Sequence, residues 1–201
     1  GEQAHDIISS PTTRKAFDLS LEKTSESTRF GRHEFGQSLL LASRLIEAGV
    51  HFVTVRLRPA EFDFDTHLDN FSKLSALLPP FDKGLASLID RLKERGLFRS
   101  TAIMVAGEFG RTPKINGQGG RDHWARAMFA LMAGGDVEGG QVIGETDDRA
   151  GAPIGKGYSP DDLAASFFQN IGINSKHEFQ TNIGRPINLV RDGKPISQLF
   201  S

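Results

Sequence analysis

Apolar residues recur at helical spacing between Arg32 and Ala48, at Phe35, Leu39, Ala42, Leu45 and Ile46, which predicts an amphipathic helix. Gly49 follows where a left-handed C-cap is expected. The period then changes. Val50 to Leu57 carries Phe52, Val53 and Val55, a β-branched and aromatic run that predicts a strand ending near Arg58-Pro59. The loop Phe62-Asp63-Phe64-Asp65-Thr66-His67-Leu68-Asp69-Asn70 comes next. Helical spacing resumes near Leu68, and a break is expected at Pro79-Pro80. It continues through Phe81, Leu85, Leu88, Ile89 and Leu92 until Gly96 closes it. Ala102-Ile103-Met104-Val105-Ala106 is a continuous apolar run ended by Gly107, the pattern of a buried parallel strand leaving a sheet. Ala127 to Ala133 reads as another buried strand, and Gln141-Val142-Ile143 as a short one. Helix feeding strand, twice over, predicts an α/β fold: a mainly parallel sheet flanked by helices.

The two ends read differently. In residues 1–30, Ser10-Pro11 is an N-cap followed by a first-turn proline. Phe17 and Leu19 are candidate anchors, and Ser20 to Thr28 is a polar linker. With no first strand, this region reads as a helical edge segment, and residues 31–201 as the main domain. Ser159-Pro160-Asp161-Asp162 starts another helix, with acidic residues favoured by the helix dipole. Leu163, Phe167 and Ile171 form its apolar face, and Gly172 ends it. The tail, Ile187 to Val190 and then Asp192-Gly193, predicts a strand or hairpin with an Asp-Gly turn.

Composition narrows the chemistry. The 201 residues include no cysteine, which excludes disulfides, thiolate metal sites and a cysteine nucleophile. A net charge of -1 gives no basic footprint for nucleic acid. No apolar run reaches the roughly 20 residues that span a membrane. Gly makes up 22 of the residues, often in pairs such as Gly119-Gly120 and Gly134-Gly135, which indicates shaped loops.

The candidate ligands are Asp65, His67, Glu108, Asp122 and His123. They stand on two loops at expected strand ends, where ligand sites of open α/β sheets collect. Asp65, His67 and His123 would offer a divalent ion three oxygen or nitrogen donors, with one position left open. Glu108 would hold a second ion or orient a ligand, and Asp122 would support a histidine. Arg111 and Arg121 would face an anion through a bidentate fork. Other roles stay open at this point. Asp65 also suits a helix cap, His67 a solvated first-turn position, and Glu108 an ion pair with Arg111 or Arg121. Lys114 reads as a neutralising charge. His5 and His177 read as solvated, and His33 and His51 as structural. Pro113 and the want of a base discount Thr112 as a nucleophile. Gly117-Gln118-Gly119-Gly120 does not open a helix after a strand, so it is not a dinucleotide fingerprint.

Phe64-Asp65-Thr66-His67 with Asn70-Phe71, Gly107-Glu108-Phe109-Gly110-Arg111-Thr112-Pro113, and Gly120-Arg121-Asp122-His123-Trp124 resemble three signatures of one family. It is a bacterial domain-of-unknown-function family placed in the alkaline phosphatase and sulfatase superfamily. The first signature departs from the family's W-D-T-H at Phe64. The resemblance implies an alkaline-phosphatase-like α/β core and a divalent ion, zinc first and calcium or another ion as alternatives. Asp65, His67 and His123 would hold it, with Glu108 near a second ion. Phe109 stands where many superfamily members have a histidine, which counts against that second ion. The resemblance further implies hydrolysis of a phosphate or sulfate ester, on a small molecule or a polysaccharide, and an exported, periplasmic setting. The alternative is a non-catalytic metal- or anion-binding protein. The chain resembles the family's C-terminal half, so the nucleophile and a partnering N-terminal half are expected upstream of Gly1.

Overall fold

The computed structural model describes residues 10–56, 64–155 and 157–200. His5, Leu57, Arg58-Pro59 and Phe62-Asp63 lie outside them. The chain divides into two compact units, one reaching Leu97 and including Asn116–Gly120, the other holding Phe98–Ile115 and the residues from Arg121 onward.

The first unit is helical. Helix α1 (Pro11–Phe17) opens as expected, with the Ser10 hydroxyl accepting from the Thr13 amide. Its anchors are Thr13 and Ala16, whereas Phe17 is 57% exposed. The polar stretch after it is not a linker. It forms a short 3-10 turn (Leu19–Leu21) and helix α2 (Thr24–Phe30), whose last residue is fully buried. Helix α3 (Glu34–Glu47) is capped by His33, whose Nδ1 accepts from the Gly36 amide at 3.1 Å. At its end Gly49 adopts φ +87, a left-handed conformation that costs other residues about 1–2 kcal/mol. Gly49 and Val50 donate to the carbonyls of Ile46 and Leu45, both at 2.9 Å, the paired bonds of a Schellman motif.

Helix α4 (Asn70–Glu94) runs 25 residues without a break, although Pro79 and Pro80 lie inside it. The carbonyls that lose their donors belong to Ser75 and Ala76, at exposed positions, where a carbonyl can turn toward solvent. Leu39, Leu40, Ala42 and Leu45 of α3 and Leu77, Leu88 and Leu92 of α4 form the buried apolar face. Arg91 is buried with them, 2% exposed, among three carboxylates. Its Nε meets Glu47 at 2.6 Å, and its terminal nitrogens reach Glu22 at 3.0 Å and Glu26 at 3.1 Å. Burial works against this charge, but the bonds to Glu47 and Glu22 outweigh it and raise the arginine above its ordinary range. Glu22, which also pairs with Arg44, is held below its ordinary range, chiefly by Arg91.

The second unit corrects the expected fold. The described residues form two-stranded antiparallel ladders, not a mainly parallel alkaline-phosphatase-like sheet. Strand β1 (Ile103–Ala106) pairs antiparallel with β4 (Ala130–Ala133), Ile103 opposite Ala133 and Ala106 opposite Ala130. A parallel return needs a crossover of a dozen or more residues, usually a helix. Here the intervening chain instead forms a second antiparallel pair, β2 (Gly110–Arg111) with β3 (His123–Trp124). The strand expected over Val50–Leu57 forms no ladder in its described part, so His51 starts none, and Gln141–Ile143 forms none either. Nor is the β1–β4 ladder buried: burial alternates along β1, and Phe129 just before β4 is 80% exposed.

Helix α5 (Pro160–Asn170) has the expected start, a full capping box between Ser159 and Asp162. Ala165 and Ser166 on it are fully buried, and the Ser166 hydroxyl accepts from the Ile196 amide at 2.8 Å. The tail hairpin exists, but its strands are β5 (Glu178–Gln180) and β6 (Pro186–Asn188). Its turn is closed by Thr181 and Arg185, not by Asp192-Gly193. No helix among the described residues is long and apolar enough to cross a membrane.

Candidate functional site

In the first unit, the short segment Phe64–Asp69 leads into α4. Phe64 packs edge-on against Phe81, and Phe81 stacks on Phe35 at 5.4 Å, which ties the segment to both long helices. Thr66 is buried and donates to the Asn70 side chain at 2.6 Å. With Thr66 facing inward, the neighbours Asp65 and His67 turn outward, each partly exposed. His67 Nε2 lies 3.0 Å from Asp65 Oδ1. Asp65 does not cap α4. The residue preceding that helix is Asp69, in a left-handed conformation with φ 52 and no side-chain capping bond.

The loop Asn116–Gly120 supports this segment from the other side. Gly119 forms a bridge with Leu68, and Asn70 and Asp69 donate to the carbonyls of Gly119 and Gln118 at 3.0 and 3.2 Å. The Asn116 side chain donates to the His67 carbonyl at 3.0 Å. Gly120 is pressed against the His67 backbone so closely that a Cβ would stand 2.0 Å from its carbonyl. No other residue fits there.

In the second unit, the β2–β3 pair sets Arg111 opposite His123. Arg111 bonds Glu108 at 2.6 Å and lies over the Phe109 ring at 5.4 Å. Phe109 in turn packs on the His123 ring with centroids 4.5 Å apart. Glu108 therefore does make the ion pair with Arg111 that its spacing allowed. Arg121 donates to the carbonyls of Thr112 and Pro113 at 2.6 and 2.7 Å. Asp122 is exposed and bonds Thr112 through its backbone in both directions, at 2.8 and 3.1 Å. Trp124 anchors β3 by donating from its indole to the Gly151 carbonyl at 2.8 Å.

The family model described as "Protein of unknown function (DUF1501)" matches residues 1–200. The chain belongs to this family. No curated protein and no solved structure matches it.

For this family member, then, one unit joins Asp65 with His67, and the other joins Glu108, Phe109, Arg111 and His123. The supports were not visible among the candidate residues. Asn116 and the Thr66–Asn70 pair carry no chemistry of their own, and they act through contacts across 49 residues or through burial. One signal was present: Gly119-Gly120 directly before Arg121-Asp122-His123 marks a loop held in close backbone contact.

Proposed function

We propose that this chain binds a divalent cation, zinc first and calcium or another divalent ion as alternatives, through Asp65, His67 and His123. We further propose that it serves the hydrolysis of phosphate or sulfate esters, of a small molecule or a polysaccharide, in an exported protein. The reading rests on the resemblance of the three signatures to the alkaline phosphatase and sulfatase superfamily. It draws on the loops and not on a sheet.

The observation that carries it is the 3.0 Å separation of His67 Nε2 and Asp65 Oδ1. Two ligands of one ion, each bound at about 2.0–2.2 Å in tetrahedral geometry, stand roughly 3.4 Å apart. The pair is near that spacing, and both donors are partly exposed. Chain connectivity supports the third ligand. His123 follows Gly120 by three residues, a reach of roughly 11 Å at full extension, and Gly120 touches the His67 backbone.

When bound, such an ion polarises a phosphoryl or sulfuryl oxygen. The chain's own groups would position the ester: Arg111 toward the anion, with Glu108 balancing its charge or approaching a second ion, and Arg121 and Asp122 shaping the turn before His123.

Elemental analysis of the purified chain and of Asp65→Ala, His67→Ala and His123→Ala tests the site. One ion per chain, lost in each variant, supports the reading, and wild-type protein that takes up none from zinc-containing buffer sinks it. Turnover of aryl phosphates and sulfates by the purified protein tests the chemistry.

A second reading, a non-catalytic metal- or anion-binding role, has one observation in its favour. Both arginines expected at the anion are engaged within the protein, Arg121 by two carbonyls and Arg111 by Glu108. Cation binding with no ester turnover would select it.

A further inference from the structure

We propose that Asn116 is the positioning residue for His67, an inference that rests on the cation-binding reading above. Its amide makes bonds in two directions. Oδ1 accepts from the amides of Gln118 and Gly120 at 2.9 and 3.0 Å, and Nδ2 donates to the His67 carbonyl at 3.0 Å. The first two fold the Asn116–Gly120 loop onto its own side chain. The third extends that folded loop to the residue bearing the imidazole.

The backbone closes the same loop, with Asn116 donating to the Gly120 carbonyl at 2.9 Å and Gly119 to the Asn116 carbonyl at 3.1 Å. A rigid loop therefore meets the His67 backbone at two points, the Asn116 amide and the Cα of Gly120. Together they fix the peptide from which the ring projects. Partners that orient a ligand typically change metal affinity 10- to 100-fold when lost.

The chemistry of the amide separates positioning from folding. A carboxylate at position 116 keeps both bonds accepted by Oδ1. It loses the donation to His67 and sets an oxygen against the carbonyl oxygen instead. Asn116→Asp thus preserves the folded loop and perturbs its hold on His67, whereas Asn116→Ala removes the bonds in both directions.

The test is titration of the purified chain and of Asn116→Asp with Co²⁺, read from its visible bands, together with the His67 imidazole resonances of both proteins free of metal. The expected result is Co²⁺ affinity at least about tenfold weaker in the variant, with altered bands, shifted His67 resonances and unchanged near-ultraviolet circular dichroism. Wild-type Co²⁺ affinity and unmoved His67 resonances in Asn116→Asp would overturn the inference. Should wild-type protein bind no Co²⁺, the cation reading fails by itself. The metal-free resonances then decide: a His67 shift upholds the positioning role, and none removes it.

Discussion

His67 Nε2 stands 3.0 Å from Asp65 Oδ1, with Thr66 between them buried and bonded to Asn70. The inward residue sets the two outward ones. Thr66→Val removes the bond to Asn70 at nearly constant shape and leaves the buried Asn70 side chain short of a donor, at a cost of about 1–3 kcal/mol. Urea unfolding of the chain should show this loss. The same variant should bind zinc more weakly than wild type, because the turn that pairs Asp65 with His67 loosens.

Zinc should raise the melting temperature of the metal-free chain. An ion held only by the folded state at 100 times its dissociation constant adds about 2.7 kcal/mol. A chelator should reverse the rise, and His67→Ala should not respond to either. Thermal scans with and without zinc check this.

Arg91 neutralises Glu22, Glu26 and Glu47 inside the first unit. Arg91→Ala takes their shared, buried cation from these part-exposed carboxylates and should cost about 1.5–3 kcal/mol, the worth of hydrogen bonds to a charged group. Arg29 bonds Glu94 with two contacts of 2.8 Å, but on the surface, and Arg29→Ala should cost under about 1 kcal/mol. Denaturant unfolding of the two variants distinguishes a buried network from a solvated pair.

The same network sets a pH dependence. The bond from Arg91 holds Glu22 below its ordinary value of 4.5. A carboxyl depressed in the folded state adds stability above its unfolded value, and that stability is lost as pH falls through the folded value. Stability should therefore drop as the pH is lowered below about 4.5. Arg91→Met should flatten that drop, as read from melting temperatures across an acid series.

Pro79 stands inside α4 and removes a bond to Ser75. Pro79→Ala restores the donor and should stabilise the chain by about 2 kcal/mol, the helix gain less the extra freedom of the unfolded chain. Gly49→Ala should do the opposite. Nothing lies within 4 Å of its missing Cβ, so the cost is the backbone's own, about 1 kcal/mol. Chemical denaturation measures both.

Helix ends were legible because capping is local. Ser10-Pro11, Gly49, Gly96, Ser159-Pro160 and Gly172 each stop or start a helix within a few residues of themselves. The contacts of Asp65 with His67 and of Glu108 with Arg111 were legible for a related reason: each pair stands close together in the chain. Pairing of distant segments was not. The run Ile103–Ala106 looks the same whether its partner runs parallel or antiparallel, and only the return of Ala130–Ala133 decided it. Val50–Arg56 has strand-like residues but no ladder, since a strand exists only with a partner. Arg91 reads as one more charge on a long helix. Its burial depends on Glu22, Glu26 and Glu47 arriving from other segments, and Asn116 gains its role only because the fold lays its loop on His67. By itself the sequence determined what is settled within a turn or two of backbone: caps, helical faces and the residue types able to hold an ion. Tertiary structure alone decided strand direction, the buried charge and the supports of the site, because each depends on groups far apart in the chain coming within bonding distance.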